Sequence, residues 1–219
     1  MLARCLSASL HGLEAKPVTV EVDLAPGLPG IQLVGLPDKA IQESRERVRS
    51  ALRNSGFRGP LVRVVINLAP AHRRKEGPAF DLPIALGLLV ASGQLDRPKL
   101  DGLWCAGELG LDGSLRPCRG VIALADLAMQ QGARALVVPP ANATEAALIP
   151  NLNIWTAHNL KELVQQLKGN ARLCALDTIH HLKRPPLPPT PWSSWASAWR
   201  AWKGPPMLSR WRQPGGITC

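Results

Sequence analysis

The sequence predicts an α+β fold, one mixed sheet with helices packed on it. Three observations predict it. Short β-branched runs alternate with helical segments along residues 1–171. Glycine-punctuated stretches between some runs read as hairpins, so the sheet is not purely parallel. One segment, Asp81–Leu95, is apolar all round, as a helix buried against a sheet must be.

The elements follow in order. Val20, Val22 and Leu24 alternate, the chain turns within Pro26–Gly30, and Ile31 and Leu33 resume the period, which predicts a hairpin over Val18–Pro37. Ile41, Val48 and Leu52 then fall at helical spacing, with Asp38 as N-cap and Gly56 as stop. Leu61–Pro70 is a β-branched strand ended by proline. After a polar loop, "AHRRKEGPAF", comes the buried helix, with Asp81 as its cap and Pro83 suited to its first turn. "GLWCAGELGLDGSLRPCRG" predicts a hairpin turning at Asp112-Gly113. "VIALADLAMQQGA" predicts a helix stopping at Gly132, and "RALVVPPANATEAALI" a strand, a Pro-Pro exit and a short helix. "LNIWTAHNLKELVQQLKG" predicts a strand and a last helix capped by Asn159.

Composition narrows the class. Hydrophobic residues make up 46% of the 219, enough for a core. No run reaches the ~18 uncharged apolar residues that a membrane span needs. "MLARCLSASLHG" is too short and polar for a secretory signal, so a cytoplasmic protein is expected and no membrane partner. The five cysteines are scattered and form no C-x-x-C, which predicts reduced thiols and no metal site.

The charge is uneven. Residues 172–219 hold seven Lys or Arg against Asp177 alone, so they supply +6 of the net +10. Eight of the 21 prolines and five of the seven tryptophans sit there too. The sequence thus divides into a domain, 1–171, and a Pro/Trp/Arg-rich tail, 172–219, expected to be disordered. Trp192, Trp195, Trp199 and Trp202 share a helical stripe beside Arg200 and Lys203. A stand-alone interaction protein using that stripe on nucleic acid or membrane is one alternative reading.

Three blocks carry a family resemblance: "GLPGIQLVGLPDKAIQESRERVRSALRNSG", "VINLAPAHRRKEGPAFDLPIALGLL" and "AGELGLDGSLRPCRG". They resemble, in order, the N-terminal domain of the magnesium-chelatase-like AAA+ ATPases of the YifB/ComM (competence protein) type. The resemblance covers about residues 1–171. It implies a ribosomal-protein-S5-domain-2-like fold, related to the Lon protease domain. It also implies a following ATPase module with a Walker A loop, hexameric rings, and DNA as the partner, through ATP-driven branch migration in natural transformation. No G-x-x-x-x-G-K-[ST] occurs here, so ATP and Mg are expected only in the full-length family and this chain is expected to be no enzyme. Read in a shifted frame from Ser209, permitted codons spell a string similar to the family's sequence before Walker A. The expectation is therefore a truncated product whose frame is lost between about Leu173 and Pro191.

The Lon likeness raises the question of a nucleophile. A Ser-Lys dyad needs a hydroxyl on a turn and an amine in reach. The similar stretch here is Glu76-Gly77-Pro78, followed by Ala79, and the segment expected to supply lysine has an apolar residue near Ile122. A Lon-like peptidase with displaced groups is therefore the weakest reading. Gly77 and Pro78 are expected to be a structural turn, with Asp81 capping the helix. Cys118, between Arg116 and Arg119, is expected to be a surface thiol. The remaining candidate is the basic loop His72, Arg73, Arg74 and Lys75, an anion or DNA-phosphate contact beside a helix start. Lys39, Arg45, Arg47, Arg49, Arg53 and Arg58, interleaved with Glu43 and Glu46, read as a solvated salt-bridged face.

Overall fold

The computed structural model describes residues 2–169 and the backbone of 174–176. The chain divides into Met1–Ile179 and His180–Cys219, the second wholly outside the described residues. The Trp stripe, the shifted frame and the expected disorder of residues 177–219 therefore lie outside them.

The strands are β1 (Ala3–His11), β2 (Glu14–Ala25), β3 (Gly30–Val34), β4 (Arg63–Ala69), β5 (Leu103–Cys105), β6 (Glu108–Leu109), β7 (Leu115–Arg116), β8 (Ala135–Val138), β9 (Ile154–Thr156) and β10 (Cys174–Leu176). The helices are α1 (Lys39–Asn54), α2 (Asp81–Ala91), α3 (Val121–Gln130), α4 (Ala143–Ala146) and α5 (Leu160–Lys168). Eight strands form one sheet in the order β10-β9-β8-β5-β1-β2-β4-β3, and β6 pairs with β7 in a separate hairpin. The β1–β2, β2–β4 and β9–β10 pairs are antiparallel, and the other four pairs of the large sheet are parallel. This is the mixed α+β sheet that the sequence predicts, of the S5-domain-2-like kind.

Burial explains the strand sequences. β8 is buried at all four positions, because helices cover both faces there. Ala135 and Val137 join the core under α1 and α2, while Leu136 and Val138 join the core under α3 and α4. β4 instead alternates: Val64, Ile66 and Leu68 face the first core and Val65 and Asn67 are only partly covered. The central helix α2 is buried along its whole length. Gly87 lets it approach β2, since a Cβ there would lie 2.7 Å from a Val22 methyl.

The predicted helices stand, with the caps Asp38 and Asn159. Asp38 accepts from the Ile41 amide at 2.8 Å, and Ile41, Val48 and Leu52 form the buried face of α1. Asn159 accepts from the Glu162 amide at 2.9 Å, and Asp112-Gly113 lies in the β6–β7 turn. Three readings change. First, β2 and β3 are strands but not a hairpin. β4 lies between them, antiparallel to β2 (Thr19↔Ala69) and parallel to β3 (Gly30↔Arg63). Period-2 patterning reports a strand, not its neighbour. The hairpin at this end is β1–β2, closed by Gly12 and Leu13 between His11 and Glu14. Second, Asp81 is not a cap. It is the first residue of α2, Phe80 holds the cap position, and the Asp81 carboxylate turns sideways into the protein. Third, β10 pairs with β9 beyond the predicted boundary at 171, so the sheet continues past it.

Candidate functional site

Gly77, Pro78 and Ala79 make the turn that the sequence singled out. Gly77 has φ 87°, a conformation that favours glycine, and Pro78 opens a short 3₁₀ turn over Pro78–Phe80 that runs into α2. Asp38 fixes the turn from outside: besides capping α1, its carboxylate accepts from the Gly77 amide at 2.9 Å. The Ala79 carbonyl accepts from the Gly107 amide at 3.0 Å, tying the turn to the segment after β5.

A groove of about 510 Å³ opens beside this turn, outside the carboxyl ends of the parallel strands β1 and β5. Its floor is apolar, from Ala8, Ala79, Ala106, Val121 and Leu124, and its rim carries Asp38, Glu76, Glu108 and Arg119. Ala79 thus lies in the groove where a nucleophile is expected by the Lon likeness. Ile122 does not. It is 42% exposed and its amide donates to Glu145, while Val121 lines the groove in its place. A one-residue shift on a helix start turns a side chain about 100°, which alignment by eye does not resolve.

Cys118 also lines the groove, and the expected surface thiol is a correction. Burial, followed by the carboxylate of Glu145, pushes its pKa up to about 12. The neighbouring arginines do not lower it. Cys5 and Cys105 meet in the core with their sulfurs 3.2 Å apart, and Cys5, Cys105 and Cys118 are free thiols.

Behind the groove, Asp81 is fully buried and accepts four hydrogen bonds. Ser44 Oγ donates to Oδ1, Arg47 Nε donates to Oδ2 at 2.7 Å and Nη2 to Oδ1 at 3.1 Å, and the Leu109 amide donates to Oδ2 at 3.2 Å. The carboxylate thereby joins α1, α2 and β6. It raises the Arg47 pKa above the ordinary arginine value, the hydrogen bond to Asp81 being the largest cause. No sequence pattern announces this hub, since its partners lie 28 residues or more from Asp81.

The basic loop splits in two. His72, Arg73 and Arg74 are exposed. Lys75 is 0% exposed, which corrects its reading as an anion contact. Its Nζ donates to the Gly35 carbonyl at 2.9 Å and to the Pro70 carbonyl, and its backbone bridges to Leu36 and Asp38. Burial first, then the charge of Arg73, lowers its pKa. Arg74 reaches only the exposed Glu76, at 3.5 Å.

The glycine-rich stretch Gly107–Gly113 closes on itself, with the Gly110 amide donating to Ser114 at 2.9 Å, and supplies no lysine. Among the described residues no three His, Cys, Asp or Glu side chains gather as metal ligands, and no helix is long and apolar enough to cross a membrane.

The fold and the groove at this turn define an S5-domain-2-like α+β domain, and comparison with known proteins gives its family. The sequence profile described as subunit ChlI of Mg-chelatase matches residues 20–142. The chain belongs to this Mg-chelatase-like family, as an N-terminal domain of the ComM/YifB kind. It is 46% identical over 172 residues to competence protein ComM of Haemophilus influenzae, covering 78% of this chain and 34% of the relative. It is 43% identical over 174 residues to the uncharacterized protein YifB of Escherichia coli, covering 80% and 32%. An uncharacterized protein of Mycobacterium bovis is 39% identical over 172 residues, covering 78% and 34%. The chain therefore spans about a third of the length of these relatives.

Proposed function

We propose that the described domain is a non-catalytic, DNA-contacting module of a ComM-type AAA+ protein that works in the cytoplasm on DNA exchange. The observation that carries the DNA contact is the loop after β4. Lys75 is locked beneath it by two carbonyls, and His72, Arg73 and Arg74 stand outward above it. A buried lysine with guanidiniums above it concentrates positive potential at a rigid point, which suits a phosphate. The family relationship to a competence protein supports DNA as the source of that phosphate. The absence of catalysis is supported by Ala79, which brings a methyl group to the groove where acyl transfer needs a hydroxyl. Ring assembly and ATP-driven movement on DNA belong, on this reading, to the part of the relatives that this chain does not span.

The test is fluorescence anisotropy of a labelled duplex titrated with the full chain at graded salt. Binding should be independent of base sequence and weaken steeply with salt. The double variant Arg73→Gln, Arg74→Gln should lower the salt slope by about 2, near one unit for each phosphate no longer neutralised. An unchanged slope overturns the assignment of the loop. Turnover of a peptide substrate that disappears on blocking the groove would overturn the non-catalytic reading.

A further inference from the structure

β3 ends the large sheet, so the edge away from β4 carries no strand among the described residues. Sheet edges are templates for another chain, and proteins usually blunt them with charge, proline or a covering loop. Here Pro26, Pro29 and Pro60 border the start of β3, yet two leucines stand in water beside it. Leu28, just before β3, is 90% exposed and Leu61, just before β4, is 85% exposed. Two shallow hollows border the start of β3, each with Gly30 and Ile31 in its lining. One, of about 340 Å³, is lined by Arg45 and Arg49 of α1, and the other, of about 440 Å³, by Leu28 and Arg63.

The charge of this surface is unbalanced. Glu46 is the only carboxylate lining either hollow, against three guanidiniums. Arg45 and Arg63 are held by neutral acceptors, the Gln42 carbonyl at 3.0 Å and the Gln32 side chain at 3.0 Å. No ion pair joins Arg45, Arg49 or Arg63 to an acid among the described residues. The expected salt-bridged face holds at Arg47, which lies 3.9 Å from Glu43, while Arg45 and Arg49 of the same helix pair with no acid among the described residues.

We propose that this edge is a docking site for an extended acidic segment of a partner protein, which adds to β3 as a further strand. Each part of the surface selects for that occupant. The open edge takes backbone amides and carbonyls, the exposed leucines take aliphatic side chains at alternate positions, and the arginines take carboxylates at the others. A nucleic acid satisfies only the arginines, and no aromatic ring lines the hollows to stack a base. A second copy of the chain would bring the same arginines face to face, and like charges placed opposite each other repel. The surface is separate from the proposed DNA contact, which follows the other end of β4: Arg63 begins that strand and Ala69 ends it.

The test is hydrogen exchange of the full chain, read by mass spectrometry, with two probes of about ten residues, alternating Glu-Val and alternating Lys-Val. The acidic probe should slow exchange across Gly30–Val34, and the basic probe should not. Arg45→Gln with Arg49→Gln, both exposed and without structural partners beyond one local carbonyl, should weaken the acidic probe about tenfold, whereas Arg73→Gln with Arg74→Gln should leave it unchanged. The proposal is overturned by any of four results: no protection of β3 at about millimolar probe, equal binding of both probes, protection of β3 by an oligothymidine in preference to the peptide, or concentration-dependent self-association that protects the same amides.

Discussion

Replacing Asp81 by alanine removes the one acceptor shared by α1, α2 and β6. Arg47 would keep the Ala40 carbonyl at 3.0 Å and the distant Glu43, but its side chain is only 20% exposed, so water does not replace the missing carboxylate. The Leu109 amide loses its acceptor, and the Ser44 hydroxyl is left to donate to the Ala40 carbonyl at 3.5 Å while still accepting from Arg47 Nη2 at 3.0 Å. Breaking a buried pair in this way costs about 3–5 kcal/mol, and loss of the acid from the first turn of α2 adds about 0.5 kcal/mol. The partial exposure of Arg47 argues for the lower end, about 3 kcal/mol. With a urea slope of about 2 kcal/mol per molar, the midpoint should fall by about 1.5 M. Asp81→Asn, which keeps an acceptor but not the charge, should lose roughly half of that. A double-mutant cycle with Arg47→Met should show strong coupling, because each single change orphans the other partner. A shift of the Asp81→Ala midpoint below about 0.5 M, or additive losses in the cycle, would mean that the carboxylate does not hold the three elements together.

Other residues of the site give further tests. Lys75→Met strands the Gly35 and Pro70 carbonyls and should cost about 2–4 kcal/mol in urea unfolding, where loss of an exposed lysine would cost almost nothing. Cys118, at a pKa of about 12, should be alkylated at pH 8 on the order of a thousandfold more slowly than the same residue in the urea-unfolded chain, as read by peptide mapping. The same shift makes its contribution to stability complete below the ordinary thiol value of 9.0 and lost as pH rises toward 12, so Cys118→Ser should flatten the alkaline limb of the pH–stability curve. Ala79→Ser restores a hydroxyl to the groove without an amine, since Val121 lines the other wall; neither peptide hydrolysis nor labelling by a serine-reactive phosphonate should appear.

The helices were legible because local chemistry decides them. Asp38, Asn159, Gly132 and the apolar spacing of α1 act within a turn or two, and all stand where the sequence puts them. Strand pairing was not legible, because alternation in β2 and β3 says nothing about β4 passing between them. At the site, the turn Gly77-Pro78-Ala79 could be read directly, as glycine and proline restrict the backbone where they stand. The fates of Lys75 and Asp81 could not. A lysine among arginines looks like surface, and an aspartate before an apolar run looks like a cap. Only the tertiary arrangement supplies the carbonyls that bury one and the Arg47 that turns the other inward.

The proposed DNA contact can be located residue by residue, from amide chemical-shift changes in the ¹⁵N-labelled full chain titrated with a short duplex at low salt. The largest changes are predicted at Ala71, His72, Arg73 and Arg74, disappearing as salt is raised. Changes centred on the groove residues Ala79 and Cys118, or no change at any described residue at millimolar duplex, would overturn the assignment of DNA binding to this loop.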